Sequence, residues 1–427
     1  MITAILNARI LDPASGTDAL GGVVIEGTKI AAWGRAVTTA PSGAETVIDA
    51  AGLCLAPGLV DLRVKTGEPG EEHRETLETA SRAALSGGVT EFVVMPDTRP
   101  AIDDVALVQF ITRGAPGVAA RIHAAGALTA GLAGTAMAEI GLMKDAGAVF
   151  FTNGDEPIED AAIAKRAMAY AASHGAILAS RPDLPALRGT GVMNACAFAA
   201  RLGLKGIPPE AEWIGASRDL MLAEATGCRL ILDQVSTPRT LELLAEARAR
   251  GANAGATVAA HHLFFNDLDI GDYLTYCKVN PPFRSEADRQ ALVAALAAGE
   301  IDAVVSAHDP QPPEQKRLPF AESSFGAAGL ETTLSAVLGL VHLDHLPLLD
   351  ALKVLTCGPA DLIGLPSGRI EVGLPADLIL FDPDRPWKCQ REDLISRSTN
   401  SPFDGRLLEG RVERTFVGGL PVFERQS

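Results

Sequence analysis

The chain has 427 residues, of which 47% are hydrophobic, so it can form a large core and is too apolar to be disordered. Its formal net charge of −16 argues against binding nucleic acid or an anionic membrane surface. The cysteines are scattered without a CxxC pair, no apolar run reaches about 18 residues, and Met1–Asp12 has no basic segment. These features predict a cytoplasmic protein without disulfides, membrane span or signal peptide.

Short strands separated by turns are predicted at both ends of the chain. They lie at Thr3–Ile10, Gly22–Glu26, Lys29–Trp33, Thr46–Asp49, Ala376–Phe381, Val412–Val417 and Leu420–Phe423. Neither end alone has enough strands for a stable sheet. We therefore predict a composite β-sandwich domain built from residues 1–54 together with residues 366–427.

Between the two ends, apolar strands alternate with segments of helical period. The eight predicted strands are Leu55–Val64, Thr90–Met95, Arg121–Ala127, Ala148–Thr152, Ala176–Ser180, Arg229–Val235, Gly255–Ala260 and Ala303–His308. This alternation is typical of a parallel sheet that is buried on both faces. The predicted fold class is α/β, a (β/α)8 TIM barrel at residues 55–365. The irregular segment Asp309–Pro319 follows strand eight, where we expect a mobile loop over the pocket.

The end of strand one carries two cations. Arg63 and Lys65 alternate along the strand, so they point to the same face. In a TIM barrel the carboxyl ends of the strands carry the chemistry.

Motifs along the whole chain resemble the dihydroorotase family of the amidohydrolase superfamily. They include APGLVD at Ala56–Asp61, EPG at Glu68–Gly70, MPDT at Met95–Thr98, KVNPP at Lys278–Pro282 and GLPADL at Gly373–Leu378. The resemblance implies two zinc ions, at which such enzymes open and close the dihydroorotate ring. It also implies their ligands: His-x-His after strand one, a bridging Asp or carboxylated Lys at strand four, His at strands five and six, and Asp at strand eight.

The chain departs from this implied pattern at every ligand position. Here the positions hold Arg63 and Lys65 for His-x-His, Asn153 for the bridging group, Ser180 and Gln234 for the two histidines, and Ala307 for the aspartate. A guanidinium or an ammonium has no lone pair for a metal, and an amide oxygen is a weak ligand. We therefore predict a degenerate metal site, with no zinc or other cofactor and no catalytic residue.

The substrate contacts that the resemblance implies are partly retained. Gly67 stands where the family has a carboxylate-binding arginine, and Asp97 stands for the asparagine of its MPNT motif. Asn280 and His308 match family positions. Asp97, Asn280 and His308 are therefore candidates for the remnant of a substrate pocket.

Two interpretations of the cations at strand one stay open. Arg63 and Lys65 either pair with Asp97 or Asp309, because buried charges need partners, or form a binding site for a small anion. We favour the pairing.

Two other groups are given structural interpretations. His261 and His262 are adjacent on a predicted strand, so they point to opposite faces, and we expect one to pack and the other to hydrogen-bond. The carboxylates of Asp155–Glu156 and Glu159–Asp160 are expected to be solvated and to favour the start of the next helix.

The functional hypothesis follows from the resemblance. Some members of the family are inactive and serve as structural subunits of aspartate carbamoyltransferase complexes, and a barrel without metal ligands fits that role. We expect such a non-catalytic subunit, with aspartate carbamoyltransferase as partner and a homodimeric state. The alternative is an active dihydroorotase or related cyclic-amide hydrolase with an atypical or absent metal site.

Overall fold

The computed structural model describes residues 1–426 of the 427-residue chain. The strands are β1 (Ile2–Asp12), β2 (Thr17–Glu26), β3 (Lys29–Gly34), β4 (Thr46–Asp49), β5 (Cys54–Pro57), β6 (Leu59–Val64), β7 (Val89–Val94), β8 (Arg121–Ala127), β9 (Ala148–Thr152), β10 (Ile177–Ser180), β11 (Met193–Asn194), β12 (Gly206–Ile207), β13 (Arg229–Leu232), β14 (Ala254–Ala259), β15 (Ala303–Val305), β16 (Leu378–Lys388), β17 (Leu407–Val417) and β18 (Leu420–Glu424).

The helices lie mostly between successive barrel strands. They are α1 (Leu77–Ser86), α2 (Val105–Arg113), α3 (Ile140–Asp145), α4 (Ala161–Ser173), α5 (Pro185–Arg188), α6 (Ala197–Leu202), α7 (Glu210–Thr226), α8 (Pro238–Ala249), α9 (Ala260–Phe264), α10 (Glu286–Ala297), α11 (Pro313–Lys316), α12 (Thr333–His342), α13 (Leu348–Lys353) and α14 (Cys357–Ile363). Side-chain caps fix several starts, such as the capping box at Thr76 before α1 and at Ser285 before α10. None of the helices in residues 1–426 combines the length and apolar character needed to cross a bilayer.

Within residues 1–426, eight parallel strands form the predicted barrel in the order β6-β7-β8-β9-β10-β13-β14-β15. We number them barrel strands one to eight. Strands one and eight meet through a parallel bridge between Val64 and His308, and the Lys65 N–H donates to the His308 carbonyl at 2.9 Å. The Asp61 carboxylate accepts the Ser306 N–H at 3.2 Å. These contacts bring the two ends of the sheet together, so the (β/α)8 fold class is confirmed.

The two termini form one mixed sheet beside the barrel, with the order β18-β17-β16-β5-β1-β2-β3. Strand β1 branches: its first half pairs with β4, and Arg9–Ile10 pair with Cys54–Leu55 of β5. On its other side β5 pairs antiparallel with β16. Both termini therefore contribute strands to one mixed sheet, and β5 is the strand that joins them.

The predicted strand Leu55–Val64 is divided in the structure. Its first residues lie in β5 of the terminal sheet, and Leu59–Val64 are barrel strand one, so the boundary drawn at residues 54 and 55 falls inside β5. Gly58 separates the two, and a Cβ there would lie 2.0 Å from the Thr90 hydroxyl oxygen. Both strands are fully buried, so their sequences are both apolar and the sequence pattern does not show where one ends and the other begins.

Candidate functional site at the barrel mouth

Barrel strand one presents Arg63 and Lys65 to the mouth of the barrel, at the carboxyl end of the strands. Both residues are buried, at 3% and 9% exposure. Arg63 is the penultimate residue of β6, and Lys65 directly follows the strand. Their alternation therefore places both side chains on the face that the sequence predicted.

Arg63 is held by two carboxylates, one after strand four and one after strand six. Its Nη1 pairs with Asp233, which directly follows strand six, and its Nη2 donates to Asp155 Oδ1 at 2.5 Å. Asp155 belongs to the loop after strand four. Asp233 also accepts the Thr257 hydroxyl at 2.8 Å. A single guanidinium thus connects strands one, four and six, and Asp233 extends the connection to strand seven.

Lys65 lies among three carboxylates. Its Nζ pairs with Asp155, lies 2.8 Å from Asp97 Oδ2 and lies 3.3 Å from Asp309 Oδ2. Asp97 follows strand two and Asp309 follows strand eight. The pairing that the sequence favoured is therefore found for Lys65, whereas Arg63 takes Asp155 and Asp233 instead.

Two further arginines complete what we call the mouth network: Arg63, Lys65, Arg74, Arg181, Asp97, Asp155, Asp233 and Asp309. Arg74 Nη2 donates to Asp309 Oδ1 at 2.9 Å. Arg181 Nη2 donates to the Asp155 carbonyl at 2.5 Å, and its Nε lies 3.7 Å from Asp155 Oδ1. Each carboxylate in the network faces at least one cation, so the buried charges compensate one another.

The network keeps Asp155, Lys65 and Arg63 ionised. Burial alone would raise the pKa of Asp155, but Lys65, Arg181 and Arg63 lower it below its usual range. Burial alone would lower the pKa of Lys65, yet Asp155, Asp309 and Asp97 hold it above its usual value. Arg63 follows the same pattern, since Asp233 and Asp155 raise its pKa against the effect of burial. Lys65 is therefore an ammonium at neutral pH, with no lone pair for a metal or a proton.

Asn153 and Ser180, at the ends of strands four and five, are committed to internal hydrogen bonds. Asn153 Oδ1 accepts the Thr129 hydroxyl at 2.6 Å, while its Nδ2 donates to the carbonyls of Leu132 and Glu156 at 3.0 and 2.7 Å. The Ser180 hydroxyl donates to Asp219 at 2.5 Å. The Asn153 side chain therefore holds the loops around it, and the Ser180 hydroxyl ties strand five to α7.

Gln234 and Ala307, after strands six and eight, share an unusual backbone. Their φ angles are +57° and +51°, in the left-handed region that non-glycine residues rarely adopt. Gln234 Oε1 is buried and has no hydrogen-bond partner within residues 1–426. Such strain is typical of functional sites, but an alanine methyl and an amide add no metal ligand there.

The three residues predicted as a remnant pocket have different main contacts in the structure. Asp97 is an ion-pair partner of Lys65. His308 is 1% exposed; its Nδ1 accepts the Gly329 N–H at 3.2 Å and its Nε2 lies 3.5 Å from Glu75. Asn280 lines a cavity of about 10 Å³ beside Gln234, large enough for about one water molecule.

The structure also corrects two assignments made outside the metal positions. His261 and His262 lie in helix α9 and not on a strand, although one packs against Phe283 and the other faces the Pro281 carbonyl at 3.1 Å, as expected. Asp155 was predicted to be solvated, which is wrong because it bridges Arg63 and Lys65.

Zinc does not fit the residues at the mouth. The positions of the implied ligands supply two cations, an amide already hydrogen-bonded, a hydroxyl, a second amide and a methyl group. In residues 1–426 no group of three or more His, Cys, Asp or Glu side chains is arranged to hold a metal ion. The carboxylates that are present already neutralise Arg63 and Lys65, so they are not available as an anionic cage.

Sequence reasoning missed Asp155, Asp233, Arg74 and Arg181 as members of the network. Asp155 is two residues after Asn153, and Asp233 directly precedes Gln234, so both were next to positions already singled out. Two buried cations require nearby anions, so a search for carboxylates at the other strand ends would have found Asp155 and Asp233.

Comparisons with known proteins agree with this architecture. A family model described as "Dihydro-orotase-like" matches residues 52–239. A curated dihydroorotase from Syntrophotalea carbinolica is 40% identical over 416 residues, covering 97% of each chain. Another from Pelobacter propionicus is 37% identical over 422 residues, covering 99% of each chain.

Solved structures share the same fold over nearly the whole chain. The L-hydantoinase (dihydropyrimidinase) from Arthrobacter aurescens has a TM-score of 0.88 and 27% identity, and the match covers 100% of this chain and 96% of that one. The dihydropyrimidinase from Brevibacillus agri has a TM-score of 0.86 at 21% identity, covering 99% and 95%, and supports the fold alone.

A (β/α)8 barrel joined to a sheet from both termini, with its ionisable side chains gathered at the carboxyl ends of the strands, defines a protein of the amidohydrolase superfamily. Within that superfamily the chain belongs to the dihydroorotase family. The resemblance stated from the sequence motifs is confirmed.

Proposed function

We propose that this dihydroorotase-like protein has lost the dinuclear zinc site and serves as a non-catalytic structural subunit of aspartate carbamoyltransferase. The observation that carries the proposal is the mouth network. Arg63 and Lys65 occupy the positions of the first implied ligands, and the surrounding carboxylates pair with them. A barrel mouth of this kind keeps the fold and its outer surfaces, while its cations and carboxylates pair with one another.

The first experiment tests the loss of chemistry. Purified protein is incubated with dihydroorotate and with carbamoyl aspartate in buffer containing zinc, and its zinc content is determined by elemental analysis. We expect no turnover in either direction and much less than one zinc per chain. A curated relative produced in the same way is the positive control. Stoichiometric zinc together with turnover contradicts the proposal.

The second experiment tests the structural role. The protein is mixed with the aspartate carbamoyltransferase of the same organism and analysed by native mass spectrometry and size exclusion. We expect a complex of defined stoichiometry, and a carbamoyltransferase that is less active or less stable without this chain. Absence of association, with unchanged carbamoyltransferase activity, contradicts the role even if the protein has no zinc.

A second candidate is an active cyclic-amide hydrolase that works with an atypical metal site or without metal. It is favoured by the names of the curated relatives, which are dihydroorotases at up to 40% identity over nearly the full chain. Against it, the pKa of Lys65 is raised by Asp155, Asp309 and Asp97 despite burial, which prevents Lys65 from acting as a general base at neutral pH. Turnover that disappears in Lys65→Ala would establish this candidate.

A small-anion module built on Arg63 and Lys65 has less support. Both cations already face at least two carboxylates, so an incoming anion would have to displace one of them. A melting-temperature shift with orotate or carbamoyl aspartate is the measurement that would revive this hypothesis.

A further inference from the structure

The segment that follows barrel strand five differs in charge from the rest of the chain. Leu184–Lys205 contains no Asp or Glu, whereas these residues make up about one residue in eight of the whole sequence. It carries Arg188, Arg201 and Lys205, and it includes α5, β11 and α6. In a chain of net charge −16 this is a local basic surface on the mouth side of the barrel.

Two of these cations are available for a partner. Arg201 and Lys205 are exposed, and within residues 1–426 neither has a carboxylate within 4.0 Å. The Arg201 guanidinium lies over the Phe198 ring at 5.0 Å, and Lys205 Nζ donates to the Thr190 hydroxyl at 2.9 Å. By contrast, Arg188 is already paired, since its Nε lies 3.0 Å from Asp183.

The same segment and a neighbouring one also expose large apolar side chains. Leu187 is 43% exposed, and on the adjoining segment after strand seven Tyr273 and Leu274 are 45% and 48% exposed. The Tyr273 hydroxyl donates to the Leu202 carbonyl at 2.8 Å, which joins the two segments. We call Leu184–Lys205 together with Tyr273 and Leu274 the basic apolar face. Asp272 is an exposed carboxylate at its border.

The basic apolar face is held rigidly from beneath. Asn194 Nδ2 donates to Asp267 at 2.8 Å, and Asn194 Oδ1 accepts from the buried Arg284 at 3.1 Å. Arg284 also donates to the Ile207 carbonyl at 2.9 Å. A surface that is already ordered loses little conformational entropy when it binds.

From these contacts we infer that the basic apolar face docks a partner protein whose own surface is acidic around an apolar centre. Arginine and tyrosine beside exposed leucines have the composition of energetic centres in protein interfaces. The two unpaired cations select an acidic partner and accelerate its association at low salt. The apolar side chains favour a protein over nucleic acid. The inference rests on the proposed function, in which that partner is aspartate carbamoyltransferase.

The test is a charge reversal, Arg201→Glu with Lys205→Glu, in the full-length protein. The matched control is Lys165→Glu with Arg166→Glu, which makes the same change on the exposed side of α4. Affinity for the carbamoyltransferase is measured by analytical ultracentrifugation at low and high salt. We expect the first variant to bind at least about tenfold more weakly and with a flatter salt dependence, and the control to bind like wild type. Leu187→Ala with Leu274→Ala should also weaken binding, at both salt concentrations.

The outcomes separate this inference from the proposed function. If wild type binds and the reversal variant binds equally well, the basic apolar face is not the docking surface, while the structural role stands. If wild type does not bind the carbamoyltransferase, the proposed function and this inference both fail. In that case, a change of self-association in the reversal variant alone would assign the face to a second copy of the chain. Circular dichroism of each variant checks that the fold is intact.

Discussion

Asp155 accepts a hydrogen bond from Arg63 at 2.5 Å with one carboxylate oxygen and pairs with Lys65 through the other. It comes from the loop after strand four, whereas Arg63 lies in strand one and Lys65 directly follows that strand. One carboxylate therefore bridges two cations across the barrel mouth, where the family pattern implies that one anion bridges two metal ions. The position of the bridging charge is shifted by two residues, from 153 to 155.

Removing the bridging charge should destabilise the protein. In Asp155→Asn, Arg63 and Lys65 lose a shared anion in a largely buried site. We expect the free energy of unfolding to fall by about 2–4 kcal/mol, less than for a fully buried pair because the Asp155 side chain is 30% exposed. Chemical denaturation measures the loss. Glu159→Gln, in the same loop but exposed, should have almost no effect.

The contribution of Asp155 should depend on pH in a defined direction. Its pKa is lowered in the folded protein, because the neighbouring cations outweigh the effect of burial. Its stabilisation is therefore complete above the unfolded pKa of about 4 and is lost as the pH falls towards the folded value. The difference in stability between wild type and Asp155→Asn should be constant near neutral pH and shrink below about pH 4. A difference that grows with acidification would contradict this assignment.

The left-handed backbone at Ala307 should make it unusually tolerant of glycine. Ala307 has a φ of +51°, which costs alanine about 1 kcal/mol, and glycine adopts this conformation freely. Ala307→Gly should therefore be close to neutral. Ala259→Gly is the matched control, because Ala259 is also buried at a strand end but has a φ of −77°. We expect the control to lose about 1 kcal/mol more in denaturation experiments.

Restoring the family's acid at position 153 alone should be harmful. Asn153 Nδ2 donates to the carbonyls of Leu132 and Glu156, and the aspartate in Asn153→Asp would place an anion against both. We expect a loss of about 2 kcal/mol or more at neutral pH, partly recovered in acid where the new carboxyl is protonated. Asn253→Asp, at an exposed position, should leave the free energy of unfolding almost unchanged. Thermal unfolding at two pH values distinguishes the two variants.

The parts of the architecture that depend on short-range sequence patterns were predictable. Apolar runs of the length of a strand, alternating with helical periods, located the eight barrel strands, and the pairing of Lys65 followed from the cost of an isolated buried charge. The choice of partners was not predictable. Asp155 and Asp233 are 92 and 170 residues from Arg63 in the chain, and only the closed barrel brings them together. The helix at His261 was not predicted for a different reason. It is only five residues long, and a short apolar sequence is equally compatible with the end of a strand.

The pairing of β5 bears on how the protein is made. This strand lies between β1, which is synthesised before it, and β16, which begins about 320 residues after β5 ends. While a ribosome synthesises the barrel, one edge of β5 exposes unpaired amide and carbonyl groups directly beside barrel strand one. Only when Leu378–Lys388 have emerged can β16 cover that edge. A nascent or truncated chain that stops before Leu378 should therefore be prone to aggregate, however well its barrel has formed.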